Sequence, residues 1–205
     1  FDGAVTFDLA LFQVNISDQQ VTTIVFINDD PDLPVASVAN ADSSRSRGFE
    51  AGLTVVPVDA LEIRANVGYV NAEYSEYIDN VGADRSGERF PFVPEWTVQI
   101  NGTYTVPIGN WGNLELSAEY RYVGDILSGS GVDLDAQFEV DSYDVIDLSV
   151  AIDNEDWRFE VFADNVTNDF IESRVFNTFF VDPGLRPFSV VLPPRRIGAR
   201  ASYRF

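Results

Sequence analysis

The chain has 205 residues, with 13 Lys+Arg against 33 Asp+Glu and a formal net charge of −20. That acidity argues against nucleic acid as a partner, because phosphate binding needs a basic surface. The absence of Cys excludes disulfide scaffolds, thiolate zinc sites and Cys nucleophiles, and the absence of His excludes a Ser-His-Asp triad and any imidazole metal site.

No apolar run approaches the ~20 residues that a membrane-spanning helix needs. There is no Met, so the expectation is a processed product or an internal piece of a longer protein. The first ten residues, Phe1 to Ala10, have neither the basic n-region nor the long apolar h-region of a signal peptide.

Period-two alternation runs through the chain and predicts strands. The first falls at 5–11 (Val5, Phe7, Leu9, Leu11), the next at 49–55 (Phe49, Ala51, Leu53, Val55), and a third at 61–69, continuing toward 76. The stretch 96–106 puts Trp96, Val98, Ile100, Gly102, Tyr104 and Val106 on one face, with Thr97, Gln99, Asn101, Thr103 and Thr105 on the other. Leu114, Leu116, Ala118, Tyr120 and Tyr122 alternate with Glu115, Ser117, Glu119 and Arg121. The pattern recurs at 146–152 (Ile146 to Ile152), 157–163 (Trp157 to Ala163) and 197–205, where Ile197, Ala199, Ala201, Tyr203 and Phe205 share a face. The chain therefore reads as all-β, with eight strands and no convincing helix.

The links between strands alternate in length. Short ones fall at Pro57–Ala60, Pro107–Gly112 and Asp153–Asp156, and long ones at about 17–44, 77–91, 125–141 and 167–195. In an antiparallel meander this puts all short turns on one side and all long loops on the other, as in outer-membrane barrels. Aromatics cluster toward both ends. Trp111, Trp157, Tyr203 and Phe205 lie near the short turns, and Tyr69, Tyr74, Tyr77, Trp96, Tyr120 and Tyr122 toward the long loops, where two interfacial girdles would form. A soluble antiparallel sandwich would also alternate, although its strands run nearer ~5–6 residues without a strict short-long rhythm.

At this level the residues resemble a known family. SRSRGFEAGL at 44–53 is similar to the Ser-x-Gly-x-Glu strand opening of TonB-dependent outer-membrane receptors, and FVPEW at 92–96 to their Pro-containing lead into a descending strand. SYDVIDLSV at 142–150 resembles their Tyr-x-x-x-Asp-Leu strand, VFADNVTND at 161–169 their Asn-Leu-Thr-Asp close, and PPRRIGARASYRF at 193–205 their last strand. Val166 stands where the family commonly has Leu. The local chemistry agrees: Asn165, Thr167, Asn168 and Asp169 can turn the chain off the strand by bonding nearby backbone, and Pro193 and Pro194, lacking donors, belong before the following strand.

The resemblance implies an antiparallel transmembrane meander that supplies the last eight strands of a 22-stranded barrel, residues 1–205 being its C-terminal part. The barrel would enclose the protein's own plug domain and sit in the outer-membrane lipid of a Gram-negative bacterium. It also implies uptake energised by TonB through a region not contained in this sequence. Tyr203 and Phe205 would form the terminal signal read by the barrel-assembly machinery. The ligand would be a scarce one (a ferric siderophore, haem, cobalamin or an oligosaccharide), and the long loops would form its vestibule. The alternatives are a passive porin-like barrel, a complete small eight-stranded barrel with a structural or adhesive role, and a soluble extracellular sandwich.

No catalytic constellation is present, so no enzyme activity and no cofactor are expected. Three acidic clusters, Asp29-Asp30-Pro31-Asp32, Asp133-Leu134-Asp135 and Asp153-Asn154-Glu155-Asp156, offer oxygen ligands without the EF-hand pattern and read as solvated loop charge. The 125–141 loop, with Asp125, Asp133, Asp135, Glu139 and Asp141 and no Lys or Arg, could favour cationic ligands. The sequons at Asn15, Asn101 and Asn165 read as chance. Arg64, Arg121, Arg158 and Arg200, with Glu50, Glu62, Glu115, Glu119 and Glu160, take the polar phase of their strands and should face a lumen as ion pairs or a plug-facing wall.

Overall fold

Strict alternation fixes one apolar and one polar face per strand, and antiparallel pairing stacks like faces together. In the computed structural model, which describes residues 4–26, 34–79, 82–128, 138–176 and 187–205, the strands follow in this order: β1 (Val5–Phe26), β2 (Pro34–Val58), β3 (Leu61–Glu76), β4 (Trp96–Pro107), β5 (Asn113–Val123), β6 (Ile126–Ser128), β7 (Phe138–Val140), β8 (Tyr143–Asp153), β9 (Trp157–Asp164), β10 (Glu172–Phe176), β11 (Phe188–Val191) and β12 (Arg196–Tyr203). Eight of them form one sheet in the order β1-β2-β3-β4-β5-β8-β9-β12, every neighbouring pair antiparallel. This is a plain meander without crossovers. β1 and β12 end the order and are not paired with each other among the described residues, so the sheet is open.

The register sorts the residues as the alternation predicts. One continuous row runs Phe7–Leu53–Ala65–Ile100–Tyr120–Ile146, and another Leu61–Tyr104–Leu116–Val150–Val161–Ala199. The opposite face carries Thr6–Thr54–Arg64–Asn101–Glu119–Asp147 and Thr105–Glu115–Ala151–Glu160–Arg200. Thus Val98, Ile100, Leu114, Leu116, Leu148, Val150, Phe159 and Val161 share one face, and Gln99, Asn101, Glu115, Ser117, Asp147 and Glu160 the other.

The rows also climb. Val5 opens β1 at the short-turn end, and its row reaches β12 at Ile197, one residue into that strand at the long-loop end. A drift of roughly six residues over seven strand steps, at ~3.3 Å rise and ~4.8 Å separation, tilts the strands by about 30°.

One expectation is corrected, and the other links gain detail. The chain at 17–44 is not a long loop: β1 continues to Phe26 and β2 begins at Pro34, paired from Val5–Val55 to Phe26–Pro34. The β-prone run Val21–Phe26 opposes Val35, Val38 and small Ala and Ser residues, and these small residues hide the alternation on β2. The loops at 125–141 and 167–195 each carry a hairpin, β6–β7 and β10–β11. The short link after β4 contains a single 3-10 turn, Gly109–Trp111, closed by Gly112 at φ 114°, a conformation open to glycine.

The buried residues sit away from the centre of the sheet's apolar face. Ala41, Tyr74 and Tyr77 form a small core with Val21 and Phe90 beside the long loops. The apolar face itself stays uncovered: Phe7 is 62% exposed, Leu11 76%, Val161 58% and Ile197 73%. A contiguous apolar face of this size, with no second layer over it among the described residues, fits an apolar surrounding and not a sandwich.

Candidate functional site: a paired polar wall beneath an ordered loop layer

The polar face is a lattice of ion pairs within and between strands. Arg121 on β5 bonds Asp147 on β8 at 2.8 Å and Glu119 at 3.0 Å. Arg158 on β9 reaches across to Glu115 on β5 at 2.6 Å, Arg200 on β12 meets Glu160 at 3.4 Å, and Arg196 meets Asp164 at 2.9 Å. Arg64 pairs with Glu62 at 2.8 Å, and Arg204 with Asp153 at 3.0 Å. All nine residues expected on the polar phase, Glu50 included, lie on this face by register. Between β4 and β12 the wall forms a hollow of about 920 Å³, whose lining includes Asn101, Ser117, Glu119, Asp147, Glu160 and Arg200. The Phe162 ring crosses this wall over Gly198, where a Cβ would lie 2.5 Å from the ring.

Two motifs that are separate in sequence meet at the loop end of the wall. Asn165, 3% exposed and at φ 48°, donates its backbone N–H to the Asp147 carboxylate at 2.7 Å. Its side-chain amide donates to the Asp169 and Pro193 carbonyls at 3.0 and 3.3 Å, and its Oδ1 accepts from the Asp169 N–H at 3.1 Å and Thr167 Oγ1 at 3.2 Å. The Asn168 side chain accepts from the Arg195 N–H at 3.1 Å. The Asp-Leu and Asn-x-Thr-Asn-Asp motifs therefore act as one knot joining β8, the end of β9 and the start of β12.

Beyond the strands the loops fold onto each other. Ser128, fully buried at the end of β6, donates to the Val175 carbonyl at 2.7 Å and accepts from the Val175 N–H at 2.8 Å, so its hydroxyl joins the β6–β7 hairpin to β10. The Phe92 N–H donates to the Leu127 carbonyl at 2.7 Å, and its ring lies 6.2 Å from Phe176 and 5.5 Å from the Arg174 guanidinium. Arg89 bonds the Asp125 carboxylate at 2.9 Å. In the 77–91 connection Asp79 accepts from Arg85 Nε and the Ala83 N–H, both at 2.8 Å. The Tyr74 and Tyr77 rings lie 4.9 Å apart, tilted by 44°, and burial, reinforced by the charges of Tyr77 and Glu88, pushes the Tyr74 phenol up to about 12. This loop layer was invisible to alternation, because it is built from single side chains satisfying backbone groups.

Aromatics gather at both ends, but Tyr74 and Tyr77, expected in the loop-end band, are buried in the small core with Ala41 instead. Phe49, Tyr69 and Trp96 meet at the loop end, with Tyr69 and Trp96 at 4.7 Å. Trp157, Tyr203 and Phe205 follow one another at the turn end, at 4.6 and 6.4 Å. Asp153 is committed to Arg204, and Asn154 caps the Asp156 and Trp157 N–H groups, so the third acidic cluster is a turn. The clusters at Asp29-Asp30-Pro31-Asp32 and Asp133-Leu134-Asp135 lie outside the described residues. Among the described residues no three acidic side chains converge as a metal site.

A family model described as TonB dependent receptor-like, beta-barrel matches residues 1–168. Among solved structures, the ferric yersiniabactin uptake receptor FyuA from Yersinia pestis superposes with a TM-score of 0.73 at 18% identity, over 97% of this chain and 27% of that one. The siderophore receptor PiuA from Acinetobacter baumannii gives 0.69 at 17% identity, over 98% and 26%. The copper transporter OprC gives 0.71 at 13%, over 97% and 29%. The chain thus spans a little over a quarter of the length of these structures and shares their fold along nearly all of its own. An open eight-stranded meander with one apolar and one salt-bridged face, matched by the family model over most of its length, belongs to the TonB-dependent receptor-like β-barrel family.

Proposed function

We propose that residues 1–205 form the C-terminal part of the barrel domain of a TonB-dependent receptor in the outer membrane of a Gram-negative bacterium. The apolar face meets lipid, and the Arg–carboxylate wall faces the lumen and the protein's own plug domain. The long loops form part of an extracellular vestibule, and TonB acts through a region outside this sequence. The observation that carries the reading is the continuous segregation of charge across eight strands. Its strand lengths fit too: Trp96 to Val106 on β4 spans ~33 Å, or about 28 Å of membrane depth at the tilt above, close to the ~25 Å apolar band of such barrels. Transport is the activity this reading takes, by likeness to the uptake receptors and the copper transporter above. The ligand class is a ferric siderophore, by likeness to FyuA and PiuA. Tyr203 and Phe205 complete the last strand's apolar face and serve as the terminal signal for the assembly machinery.

The test deletes the full-length gene and follows accumulation of labelled ferric siderophores, haem, cobalamin and copper, with and without TonB. Loss of TonB-dependent accumulation of a ferric siderophore is expected. Diffusive uptake indifferent to TonB would overturn the reading in favour of a passive barrel.

A further inference from the structure

Each interior strand of the sheet shares a tight turn with one neighbour, and a tight turn fixes the register of the strands it joins. The free edge of β12 is different. In the larger barrel it meets the barrel's first strand, and no turn joins those two. Alternation alone cannot set the register of that seam, because a slip of two residues keeps every apolar side chain on the apolar face. The apolar phase of β12 discriminates little, since Ala199 and Ala201 at its middle are small.

The other phase of β12 carries charge of one sign. Residues 195–205 hold four Arg and no Asp or Glu, in a chain of net charge −20. Arg196, Arg200 and Arg204 follow at four-residue intervals on the polar face, ~13 Å apart along the strand. Their carboxylate partners all come from the β8 and β9 side: Asp164 at 2.9 Å, Glu160 at 3.4 Å and Asp153 at 3.0 Å. Two of these are shared, because Arg158 lies 3.9 Å from Glu160 and 3.6 Å from Asp153. Inside the sheet Arg158 has three carboxylates and Arg121 two, while Arg64 has Glu62 of its own strand. The three β12 arginine side chains are 63, 66 and 59% exposed, against 27% for Arg158. A guanidinium has five donors, and Arg196 and Arg200 each spend one on a carboxylate.

We propose that Arg196, Arg200 and Arg204 form a register code for barrel closure, read by Asp or Glu residues at matching four-residue intervals on the lumen phase of the barrel's first strand. This rests on the reading of the chain as the C-terminal part of a larger barrel. The precedent lies in the sheet itself, where Arg196–Asp164 and Arg200–Glu160 are directly opposed cross-strand pairs. A two-residue slip at the seam breaks every such pair, so the code acts against the slip that alternation permits.

The test begins with the upstream sequence of the full-length receptor. Its first barrel strand should carry Asp or Glu at two or more lumen-phase positions four residues apart; a strand without acids in that phase, or with Lys or Arg there, overturns the proposal. In the full-length receptor, Ala199→Cys is then cross-linked to single Cys substitutions stepped along the apolar phase of that strand, and one position should respond. Combining Arg196→Glu, Arg200→Glu and Arg204→Glu should move the cross-link by two residues or cut its yield about tenfold, and reversing the opposing acids to Arg as well should restore it. If the triple variant gives no heat-modifiable band, Arg200→Glu alone should lower the yield about threefold. A cross-link unchanged in position and yield by either reversal refutes the code. Arg64→Glu, on an interior strand held by the tight Pro57–Ala60 turn, should leave the seam cross-link where it was. A cross-link from Ala199→Cys to Leu9→Cys on β1 would instead establish an eight-stranded barrel, so that the larger-barrel reading fails and not the code alone.

Discussion

The facing of the sheet can be tested with one pair of neighbouring residues. Leu148 lies midway along β8 (Tyr143–Asp153), opposite Ala118 on β5 and Ala163 on β9, and is 46% exposed on the apolar face. Its neighbour Ser149 opposes Ser117 and Phe162 on the polar face. Leu148→Arg places a guanidinium near the middle of the apolar band, where a cation costs about 2–4 kcal/mol. That is a shift of roughly 30- to 1,000-fold in the folding equilibrium, and small Ala neighbours offer the charge no partner. Ser149→Arg adds the same side chain beside Glu160 and Asp164, which line the same hollow, and should cost less than about 1 kcal/mol. The assay is reversible denaturant titration of the full-length receptor in vesicles, scored by heat-modifiable mobility. Equal costs, or a larger cost for Ser149→Arg, would invert the register and with it every assignment of lipid and lumen.

Other outcomes follow from single contacts. Gly48→Ala would place a Cβ 2.0 Å from the Tyr69 carbonyl oxygen, so it should abolish the assembled, heat-modifiable species, while Gly102→Ala, with open space around its Cβ, should assemble as wild type. Asn165→Ala removes the side-chain bonds that tie β9 to Asp169 and Pro193 and should lower the denaturant stability of the receptor by about 2–3 kcal/mol. Tyr74 should ionise near pH 12, against 10.0 for a free phenol, in a spectrophotometric titration read as the difference from Tyr74→Phe. Because the unfolded chain loses this proton first, the stability due to Tyr74 is whole below pH 10 and is lost between pH 10 and about 12, and Tyr74→Phe should flatten that decline.

What could be read from the sequence depended on how much of a segment's physics is periodic. β4 and β5 alternate apolar with polar residues over nearly their whole length, as do β8 from Ile146 to Val150 and β9 from Trp157 to Val161, and their positions and faces follow from that. The outer halves of β1 and β2 do not, because Ala36, Ala39 and Ala41 carry too little apolar surface to mark a face and Asp18 interrupts the ladder at φ 55°. The polar wall was legible as a phase, since Arg121, Arg158 and Arg200 fall between apolar neighbours. Its pairing was not, because Arg158 bonds Glu115 across two strand boundaries and only the register brings them together. The same holds for Asp147 and Asn165, each visible as part of a motif but not as partners. Ser128 had no sequence signal, being one hydroxyl that matches one backbone pair.

The open edges carry the last consequence. The ladder ends at β1 on one side and β12 on the other, leaving on each a row of backbone donors and acceptors without strand partners among the described residues. In hydrocarbon no water replaces those partners, so each unsatisfied group costs several kcal/mol. Over the eight residues of β12 (Arg196–Tyr203) alone, about half of the backbone groups point outward, a penalty that exceeds the whole stability of an ordinary domain. Residues 1–205 expressed alone should therefore not give a stable monomer in vesicles, and should aggregate through the β1 and β12 edges. Closing β1 onto β12 would remove both edges only by bending eight strands into a narrow tube. Its interior would then have to take the Arg121, Arg158, Arg196, Arg200 and Arg204 side chains together with their carboxylates and the Phe162 ring. Coexpression with the remaining barrel strands of the receptor should rescue a heat-modifiable, protease-resistant species. A heat-resistant monomer of residues 1–205 alone, with β1 and β12 amides protected from hydrogen exchange, would instead establish a complete eight-stranded barrel and refute the larger wall.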